Sequence, residues 1–320
     1  APFLERHTKL HHGYNNKCGE RKMVSVVCLG IAIMDQVFAV ENLPNGSGKN
    51  FALDFMEIGG GPAATAAVAV ARLGAEAILW ARVGTDTIGN QIIAELSGDG
   101  VDVTGVRQIE GSRSTLASVC VDRVGERGIV SFTDPKLDND PSWLPLDRVK
   151  SAGCVLADCR WPRGAEALLR KARELDVPSL LDGDLTPDKA VIGLVPLASH
   201  VAFSQGGLEQ FSATDDAVQG LCIAAQATDG WVCVTLGEKG AIWLEDGEPV
   251  HVPGFAVEAV DTVGAGDTFH GALALALAEK QSIADAVRFA GASAALKCTR
   301  FGGRAGIPTR SEVDAFLHKA

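Results

Sequence analysis

The stretch Asp261-Thr262-Val263-Gly264-Ala265-Gly266-Asp267, followed by Thr268-Phe-His-Gly-Ala-Leu-Ala-Leu-Ala-Leu-Ala278, decides how this chain is read. Two carboxylates bracket a loop of small residues, and apolar helix formers follow. The pattern predicts a helix over Asp267–Glu279 whose N-terminus closes the loop. Unpaired N–H groups and the positive end of the helix dipole favour an anion there. Gly264 and Gly266 let backbone donors approach that anion with no side chain in the way. Asp267 would lie beside the same spot, placed to take a proton from a hydroxyl that attacks a phosphoryl group. Taken alone, an N-cap and a glycine turn would account for the same residues.

Outward from this loop, short apolar runs alternate with helical ones. Strands are expected at Val24–Leu29, Ile78–Val83, Gly153–Ala157, Ser179–Asp182, His200–Ser204 and Trp231–Leu236. Helices are expected at Ala63–Leu73, Ile88–Leu96, Gly164–Leu175, Asp215–Ala227, Asp267–Glu279, Ile283–Lys297 and Arg310–His318. Strands apolar throughout are those of a parallel sheet covered on both faces. The alternation therefore implies an α/β fold, a doubly wound and mostly parallel sheet with ligands outside the carboxyl ends of its strands.

Two segments break the pattern. Residues 37–58 show period two through Phe51, Leu53 and Phe55, and residues 114–132 read as a hairpin. Together they suggest a small antiparallel β lid that excludes water from the chemistry. An apolar outer face on such a lid would want a partner, so a homodimer through the lids is expected. Residues 1–22 are polar and lack a signal-peptide core, and Met23 reads as a natural start. We treat 1–22 as a tail or leader and 23–320 as one domain.

Composition narrows the function. The 320 residues are 47% hydrophobic and 22% charged, with a formal net charge of −11. That balance argues against nucleic acid or an anionic membrane as partner. No apolar run approaches a membrane span. The eight cysteines are scattered without a Cys-x-x-Cys pair. They read as small buried hydrophobes in a reducing cytoplasm.

The run from Asp261 to Asp267 matches the Asp-Thr-x-Gly-Ala-Gly-Asp signature of ribokinase-like (PfkB-type) carbohydrate kinases at every position, and the chain resembles that family. The resemblance implies a sugar substrate, ATP and Mg2+, with Asp267 as catalytic base and the amides of Gly264, Ala265 and Gly266 as anion hole. Asp35 follows the first apolar strand, and in this family an acid there binds the sugar. Gly60 and Gly61, with Leu73 and Gly74, fit the first signature of the family. Thr65 stands where the family carries Asn, and a hydroxyl cannot match the two-ended bonding of an amide. That departure argues against ordinary ribose or fructose recognition.

On the nucleotide side, the resemblance assigns Thr235, Gly237 and Gly240 to the phosphates and ribose. It assigns Lys297, Gly302 and the run to Pro308 to the cover over the adenine. It also makes Asp261 a candidate for a monovalent cation such as K+, with carbonyls from Val263, Lys297, Arg300 and Gly302. At Ser204–Gly207 the family's Asn-x-x-Glu is missing, so Mg2+ ligands are not identified; Asp182 and Asp184 could act through water.

Finer strings look like the 6-deoxy-6-sulfofructose kinase branch, notably Leu156-Ala-Asp-Cys-Arg-Trp161 and Leu181-Asp-Gly-Asp-Leu-Thr-Pro187. An anionic sugar would give Lys49 and Arg160 a role, since ammonium and guanidinium groups suit an oxyanion. Ser131 could add a hydroxyl where that branch carries Asn. A kinase of fructose or of a phosphorylated ketose is the nearest alternative. A non-catalytic sugar or nucleotide sensor is the alternative of another class. A nicotinamide dehydrogenase is weaker, since Gly59–Gly61 do not directly follow the first strand.

Overall fold

The computed structural model describes residues 23–124 and 126–319. The expected tail over 1–22 lies outside the described residues. In chain order the strands are β1 Ser25–Gly30, β2 Ile33–Ala39, β3 Asp54–Gly60, β4 Glu76–Gly84, β5 Asp102–Ile109, β6 Leu116–Val121, β7 Arg127–Phe132, β8 Cys154–Ala157, β9 Ser179–Gly183, β10 His200–Ser204, β11 Trp231–Thr235, β12 Ala241–Glu245 and β13 Glu248–Val252. The α-helices are α1 Pro62–Arg72, α2 Thr87–Gly98, α3 Pro162–Glu174, α4 Val191–Leu194, α5 Gln205–Ser212, α6 Ala217–Ala227, α7 Ala265–Ala278, α8 Ile283–Cys298 and α9 Arg310–Leu317.

The main sheet has the order β13-β12-β11-β10-β9-β8-β1-β4-β5. It is parallel from β11 to β5, and β12 and β13 close one edge as an antiparallel hairpin. One face of the sheet packs on α1, α7, α8 and α9, and the other on α3, α4 and α6. This is the expected doubly wound α/β architecture. The alanine and glycine content of α1 and α7 has a packing cause. A Cβ on Gly271 would meet the Ala66 carbonyl oxygen at 2.5 Å, so α7 touches α1 backbone to backbone. Residues 268–278 of α7 are all buried, which fixes the helix whose first turn carries Asp267.

The lid forms a second sheet in the order β3-β2-β6-β7. Its two outer pairs are antiparallel, while β2 and β6 run parallel because the chain between them passes through the main domain. The lid begins at Ile33, earlier than expected. The strand expected to run from Phe51 starts only at Asp54, and Phe51 and Leu53 precede it on an exposed loop, 82% and 61% exposed. Sequence periodicity also passed over α5, whose first turn holds Gly206 and Gly207, poor helix formers. Gly207 is there for contact: a Cβ would sit 1.8 Å from the Gly183 carbonyl oxygen. Among the described residues no helix is long and apolar enough to cross a membrane.

Candidate active site

The loop before α7 is built as an anion cradle. Gly264 takes φ 75° at the N-cap, a left-handed conformation that favours glycine. Ala265 N–H donates to the Thr262 carbonyl at 3.2 Å. The N–H groups of Gly264 and Gly266 have no acceptor among the described residues. Thr262, Ala265 and Gly266 lie at one end of a cavity of about 840 Å³. Thr235, Gly237 and Gly240 line it, with Phe255 and the α8 residues Gly291, Ala294 and Cys298 opposite. A largely apolar cleft of that size suits a nucleotide, with loop amides at its polar end. Gly240, at φ 93°, is needed because a Cβ would meet the Val252 carbonyl oxygen at 2.0 Å.

Lys297 and Gly302, expected over the adenine, do not line this cavity. Lys297 is fully buried and turns the other way, with Nζ 2.8 Å from the Asp261 carbonyl oxygen and 3.1 Å from Asp261 Oδ2. Periodicity put Lys297 at the end of a helix, but it could not tell which side of the loop the side chain takes.

Asp267 sits on the first turn of α7. Part of its surface stays open, yet the protein around it is dense. Burial, reinforced by the negative charge of Asp182 and moderated by His270, pushes its carboxyl up to about 7. Asp182 is itself pushed up to about 6, mainly by burial. His270, one turn after Gly266, was not singled out in the sequence. Its only signal there is a lone polar residue in an apolar helix. Its Nδ1 lies 2.8 Å from the Gly266 carbonyl oxygen and its Nε2 3.0 Å from the Ala202 carbonyl oxygen. Asp182 Oδ1 is 3.5 Å from Nε2. Carbonyls only accept, so donation by both ring nitrogens requires the imidazolium. Burial opposes that charge, but Asp182 and the carbonyls outweigh it and raise the pKa.

Of the expected sugar residues, Asp35, Gly60 and Thr65 lie together around Arg304, close to Gly264. Asp35 lies in β2 of the lid sheet, not at the end of β1 as the sequence suggested. Burial pushes its carboxyl up to about 6, with Arg304 opposing. Gly60 gives it room, since a Cβ would come within 2.2 Å of Asp35 Oδ2. Strand register sets Ile58, Asp35, Ala117 and Ser131 in one row across the lid, so Ser131 shares the face of Asp35. Thr65 is buried, and the methyl of its side chain would be 3.3 Å from a Cβ on Gly264. Gly61 takes φ 96° at the start of α1.

Two buried groups that sequence reasoning passed over organise this side. Arg304 Nη2 donates to the Gly60 carbonyl at 2.6 Å, and its Nε to Thr65 Oγ1 at 3.4 Å. Asp158 accepts from the amides of Ile31, Ala63 and Arg160, which ties β1, α1 and the turn after β8 together. Arg160 itself pairs with Asp184 at 2.7 Å, and Asp184 also accepts from Ser204 Oγ at 2.8 Å. Lys49 stands on the exposed loop between β2 and β3, with no ion pair among the described residues. Among the described residues no three His, Cys, Asp or Glu side chains converge as a metal set. Asp182 and Asp184, read from the sequence as water-mediated partners for magnesium, lie at the end of β9 facing His270 and Arg160 respectively.

The residues around Asp261 do not fit an alkali cation. Oδ1 accepts from Val263 N–H at 2.9 Å, and Oδ2 accepts from Lys297 Nζ and from the amides of Gly302 and Gly303, each at 3.2 Å. Burial favours the neutral acid, but these donors hold its carboxyl below the usual range.

Comparison with known proteins gives a consistent picture. Residues 23–310 match the model of the pfkB family carbohydrate kinase. Ribokinase of Bacillus subtilis is 28% identical over 298 residues, covering 92% of this chain and 100% of that one. A solved ribokinase candidate from Agrobacterium tumefaciens superposes with TM-score 0.88 at 38% identity, covering 93% and 98% of the two chains. The structure of Arabidopsis thaliana ribokinase complexed with ribose and ATP gives TM-score 0.82 at 26% identity, covering 92% and 98%.

Proposed function

The chain belongs to the pfkB family of carbohydrate kinases, and from that premise we propose that it phosphorylates the 1-hydroxyl of an anionic ketose, 6-deoxy-6-sulfofructose. It is an ATP-dependent sugar kinase of the ribokinase/fructokinase type. The observation that carries the reading is the position of the Gly264–Gly266 loop. A nucleotide-sized cavity reaches Ala265 and Gly266, while Gly264 faces Thr65 and Asp267, and Arg304 links Thr65 to Gly60 against Asp35.

In this reading Asp267 accepts the proton of the sugar hydroxyl. The freed oxygen then attacks the γ-phosphorus in line, and ADP leaves. A carboxyl raised to about 7 suits a base working near neutrality. The amides of Gly264 and Gly266 stabilise charge on the transferring group. Magnesium, when bound, neutralises phosphate charge, and the waters it keeps would be held by Asp182 and Asp184. Asp35 and the Gly60–Gly61 backbone hold the sugar hydroxyls. Ser131 and Lys49 come from the lid to its anionic end, and Arg160 completes that end from the turn after β8.

Occupation of Arg160 by Asp184 favours a second reading, a fructokinase with a neutral substrate. One comparison separates them: ATP turnover on sulfofructose, fructose 6-phosphate and fructose at matched concentrations. The proposal expects sulfofructose to lead, and Arg160→Ala to weaken it at least about tenfold more than fructose. Equal losses for both sugars would make Arg160 a structural residue and favour the neutral substrate.

The lid supports a homodimer. Register places Phe38 and Phe55 on the face away from Asp35, together with Val130, which is 74% exposed. Light scattering on the eluted protein should give twice the chain mass. A monomer at working concentration would remove this part of the proposal.

A further inference from the structure

The place where an alkali cation was expected is filled from within the chain. Lys297 closes α8 with no exposed surface, and its ammonium donates to both the carbonyl and the carboxylate of Asp261. Three backbone amides complete the carboxylate, and Arg127 from β7 stands 3.7 Å from Oδ1. Oδ2 takes three donors, more than its two lone-pair sites, and Oδ1 takes the Val263 amide with the Arg127 guanidinium beside it. A second cation at the same oxygens would also face the ammonium at contact range, where like charges repel strongly in a buried site.

We propose that Lys297 is a tethered substitute for a monovalent cation. Its ammonium anchors Asp261 to the end of α8, while the Asp261 carboxylate holds the Gly302–Gly303 turn, and together they fix the start of the loop that presents the Gly264 and Gly266 amides. The protein then needs no alkali ion for stability or turnover. Lys297 is a positioning residue: its side chain lies outside the nucleotide cavity and acts through Asp261. The inference goes beyond the kinase reading and does not depend on which sugar is phosphorylated.

The test uses the full chain in chloride salts of potassium, sodium, ammonium and tetramethylammonium at equal ionic strength. Melting temperature is read first, because it reports the cation effect whatever sugar the assay contains. The unsubstituted protein should melt alike in all four salts, and its ATP turnover should vary by less than about twofold. Lys297→Ala strands a buried carboxylate and carbonyl, which is costly. In tetramethylammonium it should melt lower and lose at least about tenfold in turnover, a loss equivalent to ~1.4 kcal/mol. Potassium or ammonium, small enough for the vacated space, should recover part of both. Thallium titration should find a site in the variant and none in the unsubstituted protein.

If Lys297→Ala fails to accumulate folded, Lys297→Met keeps the apolar stem and carries the same comparison. Severalfold activation of the unsubstituted protein by potassium over tetramethylammonium would overturn the proposal. So would a substituted protein whose melting and turnover ignore every small cation.

Discussion

Asp267 differs from a surface aspartate in what its surroundings do to its proton. Burial and the charge of Asp182 push its carboxyl up to about 7, so near neutrality it is both a competent base and a destabilising charge. The sign follows from linkage. An acid raised from about 3.9 in the unfolded chain favours the fold while protonated, and that contribution is lost as pH rises through the folded value. Asp267→Asn should therefore melt higher than the unsubstituted protein above neutral pH. It should also lose about 100- to 10,000-fold in turnover and keep its sugar affinity. Calorimetry and a pH–rate profile of kcat/KM read the two halves separately; near-normal turnover would remove Asp267 as base. His270 gives a direct check on the same cluster. With carbonyl oxygens at both ring nitrogens, it should show two protonated nitrogens by 15N shifts at neutral pH. A neutral tautomer there would mean that one carbonyl contact is unpaired.

At the scale of elements, the sugar side depends on a strand-to-strand fit. β2 brings Asp35 against β3 at Gly60, and the Gly60 carbonyl is clamped by Arg304. Gly60→Ala would press a methyl against the Asp35 carboxylate, 2.2 Å from Oδ2 without relaxation. Overpacking of this kind costs about 1–3 kcal/mol, so KM for the sugar should rise at least about fivefold. KM for ATP, bound across the loop, should hardly move. An equal rise in both would mean the damage spreads through the fold. The sequence made β3, β6 and β7 legible as a lid, through the alternation running into β3 and the hairpin at 114–132, but β2 starts before the expected segment. It could not show that Asp35 belongs to the lid, since Gly30 to Ile33 carry no break strong enough to separate β1 from β2. Nor could it show α5, where Gly206 and Gly207, the latter needed for close contact with β9, mask a helix.

For the whole molecule, what was legible divides along the same line. Apolar strands and alanine-rich helices announced the doubly wound sheet, and the glycine loop announced the anion cradle, because both are local patterns. Which carboxylates would meet in one buried cluster was not legible, since the turn after β8, the end of β9 and α7 bring Asp158, Asp182 and Asp267 together from distant parts of the chain. That convergence has a consequence for the fold as a whole. Burial pushes Asp35, Asp158 and Asp182 up to about 6 and Asp267 up to about 7. Burial opposes the charge of His270, but its acceptors raise it as well. Each of these groups binds its proton more tightly folded than unfolded, so each contributes stability at low pH that is lost as pH rises through its folded value. His200, lowered by burial, runs the other way. Carboxyls held low, such as Asp261 and Glu312, act only below the ordinary carboxylate range. A net charge of −11 adds self-repulsion as further acids ionise. The ligand-free protein should therefore melt highest near about pH 5 and progressively lower towards about pH 8 at constant ionic strength. Differential scanning calorimetry across that range decides it. A melting temperature that climbs with pH would mean that the clustered carboxyls ionise in the fold without penalty, and Asp267 would then lack the raised affinity for a proton that its role as base requires.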